Sequence, residues 1–231
     1  MEKWINLTDY TVNQQILFLV DAICWMVAYG LAARNVIKYK FLEIPLAALV
    51  ANFAWELVYS FALVTELGLW AVWGIRAWFL MDVFLLYALF KYGRKQVKNP
   101  YVLRYFNVII IGGIIAWSGI IYLFHEEFGD PIGGITGYIL NIMMSFLYIM
   151  LFFNHPQQKA LSLGVAVWKM IGTAVIGVAV WIGDVPQPFV IWLAVITFIL
   201  DLIYTFLLMN RKKFQLPNSN TALEKEASHA V

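Results

Sequence analysis

Residues 188–209 read PFVIWLAVITFILDLIYTFLLM, an apolar stretch with one charged residue, Asp201. A helix needs about 20 apolar residues to cross the hydrocarbon core of a bilayer, and this stretch is long enough. A helix on the surface of a soluble protein would instead carry polar residues along one whole face. The stretch therefore predicts a membrane-spanning helix, and the rest of the chain repeats the pattern.

The composition of the whole chain agrees with this prediction. Of its 231 residues, 62% are hydrophobic and 13% are charged, whereas about a quarter of the residues in a soluble protein are charged. This excludes a disordered chain, a collagen and a disulfide scaffold, and the single cysteine, Cys24, cannot form an intramolecular disulfide. The net charge of +2 is too small to indicate a nucleic-acid partner. The sequence thus predicts an all-α, polytopic integral membrane protein.

Seven apolar runs have the length of a membrane span, and short polar segments separate them. The predicted spans cover residues 15–36, 42–64, 68–90, 102–124, 132–153, 161–182 and 188–209. The connections leave no room for a soluble domain. We therefore predict a seven-helix transmembrane domain over residues 1–209 and a polar, disordered tail over residues 210–231.

The positions of the basic residues predict the orientation of this bundle. One side holds thirteen of the sixteen lysines and arginines: Arg34, Lys38, Lys40, Lys91, Arg94, Lys95, Lys98, Arg104, Lys159, Arg211, Lys212, Lys213 and Lys225. The other side holds Lys3 with the acids Glu66, Glu126, Glu127, Asp130 and Asp184. Because basic loops stay in the cytoplasm, the N-terminus is predicted outside and the C-terminus in the cytoplasm.

Charged residues also occur inside the predicted spans, where each costs about 2.5–3.5 kcal/mol or more to insert. Those that lie away from the span ends are Asp21, Glu56, Arg76, Asp82, Lys169 and Asp201. These are four acids and two bases, so at least two carboxyls have no cationic partner. A buried carboxyl without a partner holds a proton and can act as an acid.

Two of these acids belong to larger polar faces and are the strongest catalytic candidates. Asn52 and Tyr59 share a helical face with Glu56, and Trp55 lies beside them. Thr197, Tyr204 and Thr205 share a face with Asp201. For Asp21 and Asp82 a role in helix packing is an equal alternative, and Lys169 either pairs with an acid or extends toward the cytoplasm.

Tryptophans form two groups by their depth in the predicted spans. Trp70, Trp73, Trp181 and Trp192 lie near span ends and are assigned to the aromatic belt at the membrane interface. Trp25, Trp55, Trp78 and Trp168 lie deeper. A cavity lined by the deeper rings would stabilise a cation by about 0.5–2 kcal/mol per contact, which suits chemistry that forms carbocations.

Motifs for other chemistries are missing from the sequence. It contains no HExxH, Walker A, GxGxxG or GxSxG stretch, and its three histidines have no ligand spacing. An aspartate-rich DDxxD run for magnesium and a diphosphate is also missing. We therefore expect no metal and no cofactor.

The segment from Pro45 to Tyr59, which contains Asn52, Trp55 and Glu56, resembles a helix of a known family. It is similar to the N-x-x-W-E segment of the small seven-helix integral-membrane terpene cyclases of fungal and bacterial meroterpenoid pathways. Further similar segments are Arg76-Ala-Trp78 with Asp82, Lys91-Tyr-Gly93, and Asp201-Leu-Ile-Tyr204.

This resemblance implies a function and a set of site residues. Members of the family cyclise a prenyl chain of the farnesyl type that is attached to an aromatic or polyketide-derived group. A buried acid protonates an epoxide or alkene and starts the reaction, without a metal. Glu56 would be the general acid, alone or with Asp201. The supporting residues would be Asn52, Trp55, Tyr59, Asp21, Trp25, Arg76, Trp78, Asp82, Asn141, Lys169 and Tyr204.

The resemblance also implies the surroundings of the protein. Its partners would be the lipid bilayer, a lipophilic prenylated substrate, and an upstream prenyltransferase, joined by an epoxidase if the substrate is an epoxide. Its membrane would be the bacterial inner membrane or the endoplasmic reticulum. An alternative interpretation of the buried acids is a small seven-helix proton-coupled transporter, although the two halves of the chain show no convincing internal repeat.

Overall fold

The computed structural model describes residues 3–183 and 187–214. Every regular element within these residues is helical, in agreement with the predicted all-α class. Asp184 and residues 215–231, which make up most of the predicted polar tail, lie outside the described residues. The first four residues of that tail after Asn210 form one helical turn, Arg211–Phe214.

Seven helices of at least 16 residues and three short helical segments make up the described structure. The helices are α1 (Val12–Tyr39), α2 (Leu46–Phe61), α3 (Leu69–Tyr92), α4 (Pro100–Arg104), α5 (Phe106–Phe128), α6 (Gly134–Asn154), α7 (Leu163–Trp181), α8 (Pro188–Met209) and α9 (Arg211–Phe214), with a 3₁₀ turn at Gly93–Gln96. Six of the helices are long and apolar enough to cross a membrane. The seventh apolar helix, α2, has 16 residues, so the count of seven spans and their orientation stay predictions.

Two predicted spans begin four residues before their helices, and a proline explains the later start of each helix. The span predicted at 42–64 is shorter as a helix because Pro45 stands at its N-cap with extended backbone. The span predicted at 102–124 is a helix over residues 106–128, because Pro100 starts a separate short helix before it. Residues 42–45 are therefore a loop.

The long helices form a closed ring of six with one helix outside. Around the ring the neighbours are α1, α7, α8, α6, α2 and α3, and α3 packs back against α1. Helix α5 packs on α2. The ring encloses the polar faces of its helices, as the cost of exposing them to lipid requires.

Asp130 departs from its predicted place among the acids at the membrane surface. It is 1% exposed, and its carboxylate caps helix α6 by accepting hydrogen bonds from the backbone N–H groups of Ile135 and Thr136 at 3.0 and 2.9 Å. A carboxylate at a helix N-terminus satisfies unpaired N–H groups and complements the helix dipole. Its role is therefore structural.

Glu43 joins three parts of the chain from the loop between α1 and α2. It is fully buried, and its carboxylate accepts hydrogen bonds from the Ser162 backbone N–H at 2.6 Å and from Asn35 at 2.8 Å. Burial raises the pKa of Glu43 to about 7, and hydrogen bonds from Ser162 and Asn35 and the charge of Arg211 offset only part of that effect.

This raised pKa predicts a pH-dependent stability. Between pH 4.5 and pH 7 the folded protein binds a proton at Glu43 that the unfolded chain has lost. The free energy of unfolding therefore falls as the pH rises through this window. The Glu43→Gln variant has no ionisable group at this position. As the pH rises through the window, we therefore expect the melting temperature of the wild type in detergent to fall by several degrees relative to that of the variant. Parallel pH profiles of the two proteins would contradict this.

Candidate active site

The ring of helices encloses a cavity between α1, α2, α3, α6 and α7. Its upper end lies at the start of α1 and α3 and includes Asp21, Thr65 and Trp70. Its floor lies deeper and includes Tyr29, Asn52 and Glu56. The remaining lining is mostly apolar or aromatic and includes Phe18, Trp25, Trp55, Ile75, Trp78 and Tyr138.

The floor is a hydrogen-bonded cluster around the Glu56 carboxyl. Glu56 is 2% exposed, and its Oε1 accepts hydrogen bonds from the Tyr29 hydroxyl at 2.5 Å and from the Asn52 amide at 2.9 Å. Within the described residues, Oε2 has no hydrogen-bond partner. The cluster thus orients the acid through one of its two oxygens.

Asn52 links Glu56 to a second acid. Its Nδ2 lies 2.9 Å from Oδ2 of Asp82 on α3, as well as 2.9 Å from Glu56. Asp82 is fully buried and lines a smaller cavity below the floor, which it shares with Asn52 and Lys169. The i, i+4 spacing puts Asn52 and Glu56 on one face of α2, and the packing of α3 against α2 adds Asp82.

Asp201 lies in a different cluster, where it pairs with Lys169. The Lys169 Nζ is 2.8 and 2.9 Å from the two carboxylate oxygens of Asp201, and it donates a third hydrogen bond to Ser145 at 2.7 Å. Both side chains are 2–3% exposed. The residues that line the main cavity do not include Asp201, so the structure separates the two predicted acids.

The wall beside Glu56 is formed by Trp55, which the loop before α6 holds in place. The indole N–H donates to the Thr136 hydroxyl at 3.1 Å, and that hydroxyl donates to Asp130 at 2.7 Å. Gly133 has a φ of 72°, and a Cβ at this glycine would stand 2.5 Å from the indole. Only glycine combines that backbone conformation with that close approach.

The predicted site residues therefore divide into three groups. Those that line the main cavity are Asp21, Trp25, Asn52, Trp55, Glu56, Trp78 and Asn141. Asp82 and Lys169 line the smaller cavity below it. Those that line neither cavity are Tyr59, Arg76, Asp201 and Tyr204.

The residues outside both cavities have other contacts. Tyr59 donates to the Asp130 carbonyl at 2.8 Å and packs against Trp55. The Arg76 guanidinium donates to the Ser60 carbonyl at 3.2 Å. Tyr204 is 1% exposed, and its ring lies against another buried tyrosine ring. Their contacts support the helices around the site.

Two tryptophans show that depth alone does not select the rings that line the cavity. Trp70 lines the cavity and donates to Gln15 at 3.0 Å, whereas the prediction placed it in the interface belt. Trp168, which belongs to the deeper group, is 37% exposed and does not line the cavity. Depth along a helix says nothing about which face of the helix carries the ring.

Sequence reasoning also missed Tyr29, the donor to Glu56. Its signal was present on α1, because Asp21, Trp25 and Tyr29 follow one another at intervals of four and share a stripe. Tyr138 on α6 was missed too; it lines the cavity and donates to the Thr173 carbonyl at 2.8 Å.

A ring of apolar helices around a cavity with a mostly apolar or aromatic lining and a buried acid is the architecture of a helical membrane protein with an internal cavity suited to a lipophilic molecule. Comparison with known proteins makes the class more specific. Residues 6–214 match the family of Pyr4-like transmembrane terpene cyclases. The chain belongs to this family.

Curated relatives carry names that agree with the family. Pyr4-family terpene cyclase mfmH of Annulohypoxylon moriforme is 32% identical over 50% of this chain and 46% of its own length. Terpene cyclase macJ of Penicillium terrestre is 27% identical over 67% of this chain and 61% of its own length. Asnovolin H synthase nvfL of Aspergillus novofumigatus is 24% identical over 98% of this chain and 100% of its own length.

The chain thus spans about half the length of mfmH and about three fifths of macJ in these matches. No solved structure matches it.

Proposed function

We propose that the protein is a membrane-bound terpene cyclase that cyclises a farnesyl-type prenyl chain attached to an aromatic or polyketide-derived group. Glu56 is its general acid. One observation carries the assignment: the Glu56 carboxyl lies in the floor of an aromatic cavity with Oε1 held by two donors and Oε2 unpartnered among the described residues. Family membership supports the reaction class.

The reaction begins with a proton transfer from Glu56. Because Oε1 already accepts hydrogen bonds, the acidic proton belongs on Oε2. It passes to an epoxide oxygen, whose C–O bond opens, or to an alkene carbon. The carboxylate that remains is stabilised by the donors Tyr29 and Asn52, which are already oriented before the transfer.

Ring closure then needs no further reagent. The π electrons of successive double bonds attack the cationic carbon and form the C–C bonds, which moves the positive charge along the chain. The last cation loses a proton, and the electrons of that C–H bond form a double bond. A proton returns to the Glu56 carboxylate and restores the acid. One proton is gained and one is lost, so substrate and product are isomers.

The wall of the cavity suits a cationic intermediate. Trp25, Trp55 and Trp78 line it, and the face of an indole attracts a cation by about 0.5–2 kcal/mol. The apolar lining keeps water from capturing the cation before the rings close. The tryptophans thus stabilise the cationic intermediate by electrostatic attraction, and the apolar lining excludes water from it.

Asp201 is proposed to act through Lys169 and not as the acid. Its carboxylate oxygens both bind the buried ammonium, and the pair lies beside the smaller cavity that contains Asp82. An ionised carboxylate paired at 2.8 Å has no proton to give. Asp201 is thus a positioning residue for the helices below the floor.

We also propose that the reaction is metal-independent. The described residues contain no group of three or more histidine, cysteine, aspartate or glutamate side chains arranged to hold a metal ion. Protonation of an epoxide or alkene supplies the initiation that a metal and a diphosphate would supply in another mechanism. The upstream partners are a prenyltransferase and, for an epoxide substrate, an epoxidase.

The test is conversion of defined substrates by membranes that contain the protein. Farnesylated phenols and their terminal epoxides are supplied with and without a metal chelator, and products are separated by mass spectrometry. We expect a cyclic product of unchanged mass that forms equally with the chelator. No cyclic product from the whole panel, with the protein shown to be folded, would overturn the proposal; uptake of a polar solute by proteoliposomes would favour the transporter.

A further inference from the structure

The upper end of the cavity carries buried polar atoms that the protein leaves unsatisfied. Asp21 on α1 is 4% exposed, and Thr65 in the loop between α2 and α3 is 2% exposed. Among the described residues, Oδ1 of Asp21 and Oγ1 of Thr65 have no hydrogen-bond partner. Such an atom costs about 1–3 kcal/mol, so two of them in a cavity wall indicate a ligand with polar groups.

A glycine at the contact between α1 and α7 leaves space for the Asp21 carboxyl. Gly172 on α7 lies directly opposite, and a Cβ there would stand 3.1 Å from Oδ1 of Asp21 and equally close to Trp25. The missing side chain lets α7 approach α1 with the carboxyl between the helices and at the cavity wall. The acid is thus accommodated without being neutralised by a basic side chain.

Asp21 and Glu56 stand at opposite ends of the cavity. Asp21, Trp25 and Tyr29 share a stripe on α1, and the Tyr29 hydroxyl marks the position of Glu56. Eight residues at 1.5 Å each separate Asp21 from Tyr29, which is about 12 Å along the helix. Trp70 and Trp78 on α3 span the same depth and line the same cavity.

The apolar lining between these two ends fits a chain with one polar end. In the proposed reaction the far end of the prenyl chain must reach Glu56, because protonation occurs there. The opposite end of the substrate, which carries the aromatic or polyketide-derived group, then lies toward Asp21, whose Cα is about 12 Å from that of Tyr29 along α1. That level is the one at which Asp21 and Thr65 lack partners.

We propose that the upper end of the cavity is a head-group site in which Asp21 hydrogen-bonds a hydroxyl or enol of the aromatic or polyketide-derived ring. Thr65 supplies a second contact. This inference rests on the proposed function, since it takes the orientation of the substrate from Glu56. It assigns Asp21 to substrate recognition.

The test compares two head groups on the same prenyl chain, a free phenol and its methyl ether. For Asp21→Leu we expect KM for the phenol to rise about 10-fold, with kcat retained and KM for the ether unchanged. Asp21→Asn should retain part of the affinity, because an amide can still hydrogen-bond the hydroxyl. Glu126→Gln, which removes an exposed acid, is the matched control and should change neither constant.

A binding measurement separates this inference from the proposed function. The probe is a phenol whose prenyl chain is fully saturated and cannot react. We expect it to bind the wild type about 10-fold more tightly than Asp21→Leu, whether or not the wild type turns over any substrate. Equal affinities would overturn the head-group site, as would a fall in kcat for both head groups with KM unchanged. Melting temperatures verify that each variant is folded.

Discussion

Replacement of Glu56 by Gln is expected to lower the cyclisation rate by about 1000-fold, the usual contribution of a general acid. The amide keeps an oxygen that can accept the hydrogen bonds from Tyr29 and Asn52, so the floor of the cavity stays intact. It has no proton to transfer. The measurement is product formation at saturating substrate in membranes with equal amounts of protein.

Tyr29→Phe is the matched variant for this prediction. It removes one donor to the Glu56 carboxylate and leaves the acid, so we expect a loss of about 10-fold, the value of one hydrogen bond. The order of the two variants distinguishes a proton donor from a residue that orients it. A Glu56→Gln protein with full activity would remove Glu56 as the acid.

Separation of the Lys169–Asp201 pair is expected to have the largest effect on stability. Asp201→Asn leaves a buried ammonium without its counter-ion, and Lys169→Met leaves a buried carboxylate. Loss of one partner from a buried ion pair costs about 3–5 kcal/mol. Each single variant should therefore melt well below the wild type in detergent, and its activity should fall with the fraction folded.

The double variant Lys169→Met with Asp201→Asn decides the role of Asp201. With both charges gone, no unpaired ion remains in the interior, so we expect the melting temperature to recover. If Asp201 positions helices through Lys169, activity recovers as well. A double variant that is as stable as the wild type but inactive would show that Asp201 takes part in the chemistry, against our assignment.

Features of the fold that depend on a single helix were predictable from the sequence. Apolar runs give the helices, and the interval of four gives the shared face of Asn52 and Glu56. Contacts between helices were not predictable, because they depend on which helices are neighbours. The donor Tyr29 and the pairing of Asp201 with Lys169 both cross from one helix to another.

The number of charged residues in the spans predicts only part of the pairing between helices. Four acids and two bases in the spans imply at least two carboxyls without a cation, but not which carboxyls these are. Arg76 does not pair with a carboxylate, since it donates to a backbone carbonyl and lies over a tryptophan ring. The one buried salt bridge among the described residues is Lys169–Asp201, which leaves Asp21, Glu56 and Asp82 without a cation.

The wall of the cavity and its acid are held by separate parts of the chain. Glu56 depends on donors from α1 and α2. Trp55 depends instead on the turn at Gly133, on the hydrogen bond that it donates to Thr136, and on the one that Thr136 donates to Asp130. A change in that turn would alter the shape of the chamber and leave proton delivery untouched. In the proposed cyclase, the turn at residues 130–133 would therefore determine the shape of the product, and the acid that starts the reaction would not depend on that turn.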